Sequence, residues 1–132
     1  MSAWAEVDTA TYSPLASVSG TGPNDVWAVG NSGTIRHYTG GATWEIVDSP
    51  TRQNLRGVWA AATDDVWAVG ENGTILRYDG TEWRTSATAL PKADQRDLYA
   101  VWGSGPSDVW AVGDGIVLHY SRAKAGTRGG AK

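Results

Sequence analysis

The chain has no cysteine, no phenylalanine, one methionine and two histidines. Without cysteine there is no disulfide, no thiol nucleophile and no thiolate ligand for a metal, and the redox compartment leaves no mark on the composition. Charge is sparse: 19% of the 132 residues are charged, and 14 acidic side chains against 11 basic ones leave a net charge of -3. Such a balance lacks the basic face that nucleic-acid phosphates require. It also disfavours an anionic membrane surface. No window approaches the roughly 18 continuous apolar residues of a spanning helix. Met1–Leu15 carries Glu6 and Asp8 with no basic start and no apolar core, so it does not read as an export signal. The expectation is a cytoplasmic chain or a trimmed piece of a secreted or surface protein. Helical periodicity is missing as well; only Ala87–Leu98 has room for a turn of helix.

What the chain has in excess is tryptophan and glycine, 8 and 17 residues. Both belong to an internal repeat. Asp-Val-Trp-Ala-Val-Gly occurs at Asp25–Gly30, Asp65–Gly70 and Asp108–Gly113, at spacings of 40 and 43. Leu15, Leu55 and Leu98 each stand ten residues before the aspartate, and Val18, Val58 and Val101 seven before it. A glycine turn follows, then an apolar run ending at Tyr38, Tyr78 or Tyr120, then a further tryptophan at Trp44 and Trp83. β-Branched and aromatic side chains favour strands. Each unit therefore reads as four strands, a to d. Ser32-Gly33, Asn72-Gly73 and Asp114-Gly115 supply the b–c hairpins, and Gly40-Gly41 and Asp79-Gly80 the c–d turns.

Four antiparallel strands about every 40 residues is the period of a β-propeller blade. Strand b is apolar on both faces, as a sheet packed between two others must be. The expected blades span about 15–48, 55–87 and 98–120, with 121–132 a flexible tail. The third unit stops after strand c. A displaced fourth strand precedes the first blade instead: Trp4 stands 11 residues before Leu15, as Trp44 does before Leu55. Residues 3–7 would then complete a third blade by pairing with Ile116–Tyr120, with Trp4, Val117 and Tyr120 closing the ring. Propellers contain about four to eight blades, so three cannot close. Two chains would give six blades about a two-fold axis. The partner expected is therefore a second copy, in a homodimer with exchanged closing strands. A trimer of nine blades is the poorer alternative, and a fragment of a longer propeller the other one.

Ala-Val-Gly-x-x-Gly-Thr-Ile followed by Tyr-x-Gly-x-x-Trp resembles the repeat of bacterial β-propeller proteins of the BNR/Asp-box and photosystem-assembly-factor-like groups. Thr39-Gly40-Gly41-Ala42-Thr43-Trp44 is similar to a degenerate Asp-box, and Asp79-Gly80-Thr81-Glu82-Trp83 is one residue short of it. The resemblance covers about residues 2–120. It implies a propeller fold and leaves lectin, assembly-factor and hydrolase functions open. Small propeller lectins built from several short chains are a precedent for a partial ring.

Catalysis is not expected. There is no Gly-x-Ser-x-Gly elbow and no phosphate loop. Asp25, Asp65 and Asp108 are copies spread round a ring, whereas a catalytic site needs dissimilar groups at one point. Their expected role is to bond backbone amides of the a–b turn. Trp27, Trp67 and Trp110 are expected in the core. His37 and His119 occupy one blade position without a third metal ligand; no metal or cofactor is expected. Trp59 and Trp102 close strand a where the first blade has Ser19, and broken symmetry makes them candidates to stack on a sugar. The b–c turns and d–a connections share one face of the ring, carrying Asn31, Glu71, Asn72 and Asp114 beside the loop Thr85–Arg96. The expected function is a non-catalytic binding or scaffold module that assembles as a ring, with carbohydrate as the ligand class. A purely structural or engineered fragment is the alternative, and half of a sialidase-like hydrolase a distant third.

Overall fold

The computed structural model describes residues 3–87 and 95–122; the rest of the long connection after Trp83 and the expected tail from 123 lie outside the described residues. Among the described residues, eleven strands form three antiparallel sheets. The first sheet is β1 (Leu15–Gly22), β2 (Asp25–Gly30), β3 (Ile35–Tyr38) and β4 (Glu45–Val47), hydrogen-bonded in chain order. The second repeats it with β5 (Leu55–Ala62), β6 (Asp65–Gly70), β7 (Ile75–Tyr78) and β8 (Trp83–Thr85). The third has three strands, β9 (Leu98–Gly105), β10 (Asp108–Gly113) and β11 (Ile116–Ser121). These are the blades read from the repeat. Strand a runs three residues further than the Leu-x-x-Val-Trp pattern, and Trp44 lies just ahead of β4 whereas Trp83 opens β8.

The b–c hairpins form because their central residues tolerate left-handed backbone. Ser32 and Gly33 take φ of 60° and 72°, Asn72 and Gly73 58° and 69°, and Thr34 and Thr74 close the turns by donating to the carbonyls of Asn31 and Glu71. Two successive positive φ values match the twist of the flanking strands. The hexapeptide then sets each strand b against strand c in the same register, Trp27 opposite His37 and Trp67 opposite Arg77.

Strands β1, β5 and β9 lie side by side, and the core lies between the blades. One cluster joins Trp27, Val29 and Ile35 to Leu55, Val58, Val66, Ala68, Leu76 and Trp83. A second joins Val69 to Leu98 and Ala111. The consequence shows in strand b. All six residues of β6, the middle copy, are buried, while β10 alternates because only one face has a neighbour. Close approach needs small residues here. A Cβ on Gly57 would come within 3.0 Å of the Ala100 Cα, and one on Gly103 within 2.8 Å of the Trp59 ring.

Residues 3–7 form no strand within the single chain; the first pairing is the parallel bridge of Asp8 to Thr43.

Candidate functional site

Each blade carries one cluster of an aspartate, a histidine or arginine, and a tryptophan, built by the b–c register. In the first blade, His37 stacks on Trp27 at 3.8 Å and 8° between planes, and its Nε2 lies 2.7 Å from Asp25 Oδ1. A carboxylate has only acceptors, so this nitrogen carries the proton. Thr21 Oγ1 donates to the other carboxylate oxygen at 2.5 Å. The third blade repeats the set: His119 stacks on Trp110 at 3.8 Å, and Asp108 accepts from His119 at 2.6 Å, Ser104 at 2.6 Å and the Trp110 indole at 3.0 Å. The Ser104 hydroxyl first, then His119, holds the Asp108 carboxyl below its ordinary value. In the second blade Ala61 replaces the hydroxyl and Arg77 replaces the histidine. Arg77 Nε donates to Asp65 at 3.0 Å and its guanidinium lies 4.7 Å from the Trp67 centroid. Nη1 reaches across to the Tyr120 hydroxyl at 3.2 Å. The bond to Asp65 is the main cause of a raised Arg77 pKa.

These aspartates thus depart from the expectation. Their partners are side chains of strand c and, in the first and third blades, a hydroxyl of strand a, not backbone amides, because the register brings the histidine or arginine under the carboxylate. The order of groups also decides the chemistry. A nucleophile triad needs the histidine between hydroxyl and carboxylate. Here the carboxylate stands between hydroxyl and imidazole, so the hydroxyl is held and not activated. The clusters clamp strands b and c in every blade, and strand a as well in the first and third.

Asn31, Glu71, Asn72 and Asp114 lie at the b–c turns, and the d–a connections join them there. Ser32 N donates to Asn54 Oδ1 at 2.9 Å, and Asn72 N to Asp97 Oδ1 at 2.9 Å. Asn54 Nδ2 donates to Glu71 Oε1 at 3.2 Å, Arg56 pairs with Glu71 Oε2, and Asn72 Nδ2 donates to Gln53 Oε1 at 2.7 Å. One polar network therefore runs from blade to blade on that face. Trp59 and Trp102 are not on it. They pair with Trp67 and Trp110 near the opposite end of their strands. Trp59 packs on Gly103 of the next blade; Trp102, with no next blade, is 61% exposed.

Sequence reasoning missed a cavity of about 150 Å³ between the second and third blades, bounded by Trp67, Val101, Val109, Leu118 and Tyr120, with Ser86 and Ala87 at one side. Its signal in the sequence was the tryptophan that the third repeat lacks.

Blades of this geometry recur in solved structures. The described fold superposes on a structure entitled YCF48 bound to D1 peptide with a TM-score of 0.69 at 20% identity, over 87% of this chain and 39% of that one. It superposes on YCF48 from Cyanidioschyzon merolae with a TM-score of 0.68 at 18% identity, over 84% and 38%. The chain is a partial β-propeller. It spans about two fifths of the length of either structure. No family model matches it, and no curated protein does. The outer faces of the first and third blades are more exposed than their internal repeats. Trp110 is 40% exposed where its repeat Trp67 is 3%, and Val18 is 63% exposed where Val58 is 5%.

Proposed function

We propose that the 132-residue chain is a non-catalytic binding and scaffold module that works as a ring of six blades made from two copies. One observation carries this reading: the two open faces are the two halves of the interface that the chain already makes twice internally. Trp102, Trp110, Val112 and Val117 on the third blade repeat Trp59, Trp67, Val69 and Ile75, which face the next blade. Leu15 and Val18 on the first blade repeat Leu55 and Val58, which face the preceding one. Contiguous apolar faces of this kind are interaction surfaces. Setting the first blade of a second copy on the third blade of the first covers both, and the two-fold repeats the contact.

The turn face with Asn31, Glu71, Asn72 and Asp114 is the ligand-contact surface in this reading, since loops on a rigid scaffold carry binding. A structure of similar fold has a peptide bound, which favours a protein ligand. The carbohydrate reading rests on Trp102, whose exposed indole is free to stack in the single chain. Ring closure covers that indole, so the two readings compete at one residue.

Val18→Glu and Trp102→Glu each place a charge in one half of the interface. Sedimentation equilibrium should find each variant folded and near 14.0 kDa where the parent chain is twice that mass. Retention of the parent mass by both variants overturns the ring. Saturable binding on a glycan array that Trp102→Ala abolishes would favour the lectin instead.

A further inference from the structure

We infer that the cavity between the second and third blades is the binding site for the N-terminal segment, residues 3–8, of a second copy of the chain, with Trp4 as the anchoring side chain. The inference rests on the two-copy ring proposed above and deepens it by naming the receptor and the group received.

The template is the interface between the first and second blades. There Trp83, on the fourth strand, meets Trp27 edge-on at 5.4 Å and 79° and Tyr78 at 5.6 Å, and is buried. Trp27 and Tyr78 stand 4.8 Å apart at 53°. Their repeats, Trp67 and Tyr120, stand 4.8 Å apart at 53°. Val101, Val109 and Leu118 take the places of Val58, Val66 and Leu76. The second interface therefore keeps the walls of a tryptophan seat and, among the described residues, holds no fourth-strand ring. The mostly apolar cavity of about 150 Å³, partly open to solvent, has the scale of a single aromatic ring. Beside it β11 is the edge of a three-stranded sheet, a template for one more strand.

The occupant follows from the N-terminal connection. Thr9 Oγ1 donates to Thr11 O, as Ser49 Oγ donates to Thr51 O; Ser13 N donates to Thr11 Oγ1, as Gln53 N donates to Thr51 Oγ1. Residues 9–13 thus have the local bonds of 49–53, the connection from a fourth strand into the next blade. Trp44 N donates to Asp8 O at 2.9 Å, and Arg36 donates to the carbonyls of Thr9 and Ala10. The connection is therefore fixed to the first blade, and residues 3–7 belong to the fourth strand of a blade preceding it. Among the described residues no blade packs on the outer face of the first one, and Trp4 is fully exposed. The chain's own third blade is on the far side of the second, since β5 separates β1 from β9. The third blade of a second copy is what the ring brings there. The register of β7 with β8, Tyr78 opposite Trp83, carried onto β11 sets Tyr120 opposite Trp4, His119 opposite Ala5 and Leu118 opposite Glu6.

Trp4→Ala tests the seat, because in the single chain this indole is fully exposed and its loss leaves the blades intact. Light scattering across a dilution series should show self-association weakened on the order of 100-fold or more, as for deletion of a buried tryptophan, with the circular dichroism of the parent. A dimer whose dissociation constant is unchanged by Trp4→Ala overturns the seat while the ring stands. A parent chain that stays single at all concentrations overturns the ring, and the seat is then judged in trans. A labelled peptide of residues 3–8 should bind the Trp4→Ala chain at one per chain by fluorescence anisotropy, and the same peptide with alanine for Trp4 should not. Equal binding of the two peptides, or of neither, overturns it.

Discussion

Trp83→Ala should weaken the contact between the first blade and the second. The indole is buried and touches rings from both blades. A buried tryptophan removes about 150–250 Å² from water, which at about 25 cal/mol per Å² amounts to roughly 4–6 kcal/mol. Partial collapse of the site brings the expected cost to about 3–5 kcal/mol. That is a large share of the 5–15 kcal/mol by which a domain is stable. Trp44 occupies the same repeat position but is half-buried, with Tyr38 at 5.4 Å its one aromatic neighbour among the described residues. Trp44→Ala should cost roughly half as much in a dilute, single chain. In the ring it should cost as much as Trp83→Ala, because Trp44 then meets the partner's third blade. Urea denaturation followed by circular dichroism, at two protein concentrations, reads both differences. Equal costs for the two variants in the dilute single chain would refute the reasoning, as would a Trp83→Ala cost below about 1 kcal/mol.

Three further outcomes are expected. Arg77→His should be nearly neutral, because the first and third blades already use histidine against the same aspartate, whereas Arg77→Leu leaves the buried Asp65 unpaired and should cost about 3 kcal/mol in urea unfolding. Asn72→Ala, at φ of 58°, should cost about 1–2 kcal/mol, and Asn72→Gly should be neutral or better, as thermal melting would show. Asp108 titrates below its ordinary 3.8 in the folded chain. Its contribution is therefore present above about pH 3.8 and lost as pH falls through the depressed value. Asp108→Asn should remove that part of the acid sensitivity, read as the change in urea midpoint between neutral and strongly acid solution.

Three copies of one hexapeptide make the sheets, their order and the positive-φ turns at Ser32-Gly33 and Asn72-Gly73 legible in the sequence, because strand alternation and turn chemistry are local. Strand c was legible from Ile35 and Ile75 onward for the same reason. The partner of Asp25 was not. His37 is twelve residues downstream, and only the pairing of Trp27 with His37 brings the imidazole under the carboxylate. Trp59 stands where the first blade has Ser19, and its packing against Gly103 depends on the spacing between blades, which no local pattern encodes. Arg36 stands where the second blade has Leu76. That substitution is intelligible only once the N-terminal carbonyls of Thr9 and Ala10 are found beside it. The 11-residue spacing of Trp4 from Leu15 named the connection, and the hydrogen bonds at Thr11 and Ser13 give that spacing its physical content.

The most direct measurement is the absolute mass of the unmodified chain by light scattering at micromolar concentration. Two chains closing six blades predict a single species at twice 14.0 kDa. A well-folded species at 14.0 kDa that persists as concentration rises would contradict the ring and leave the open faces of the first and third blades without a purpose.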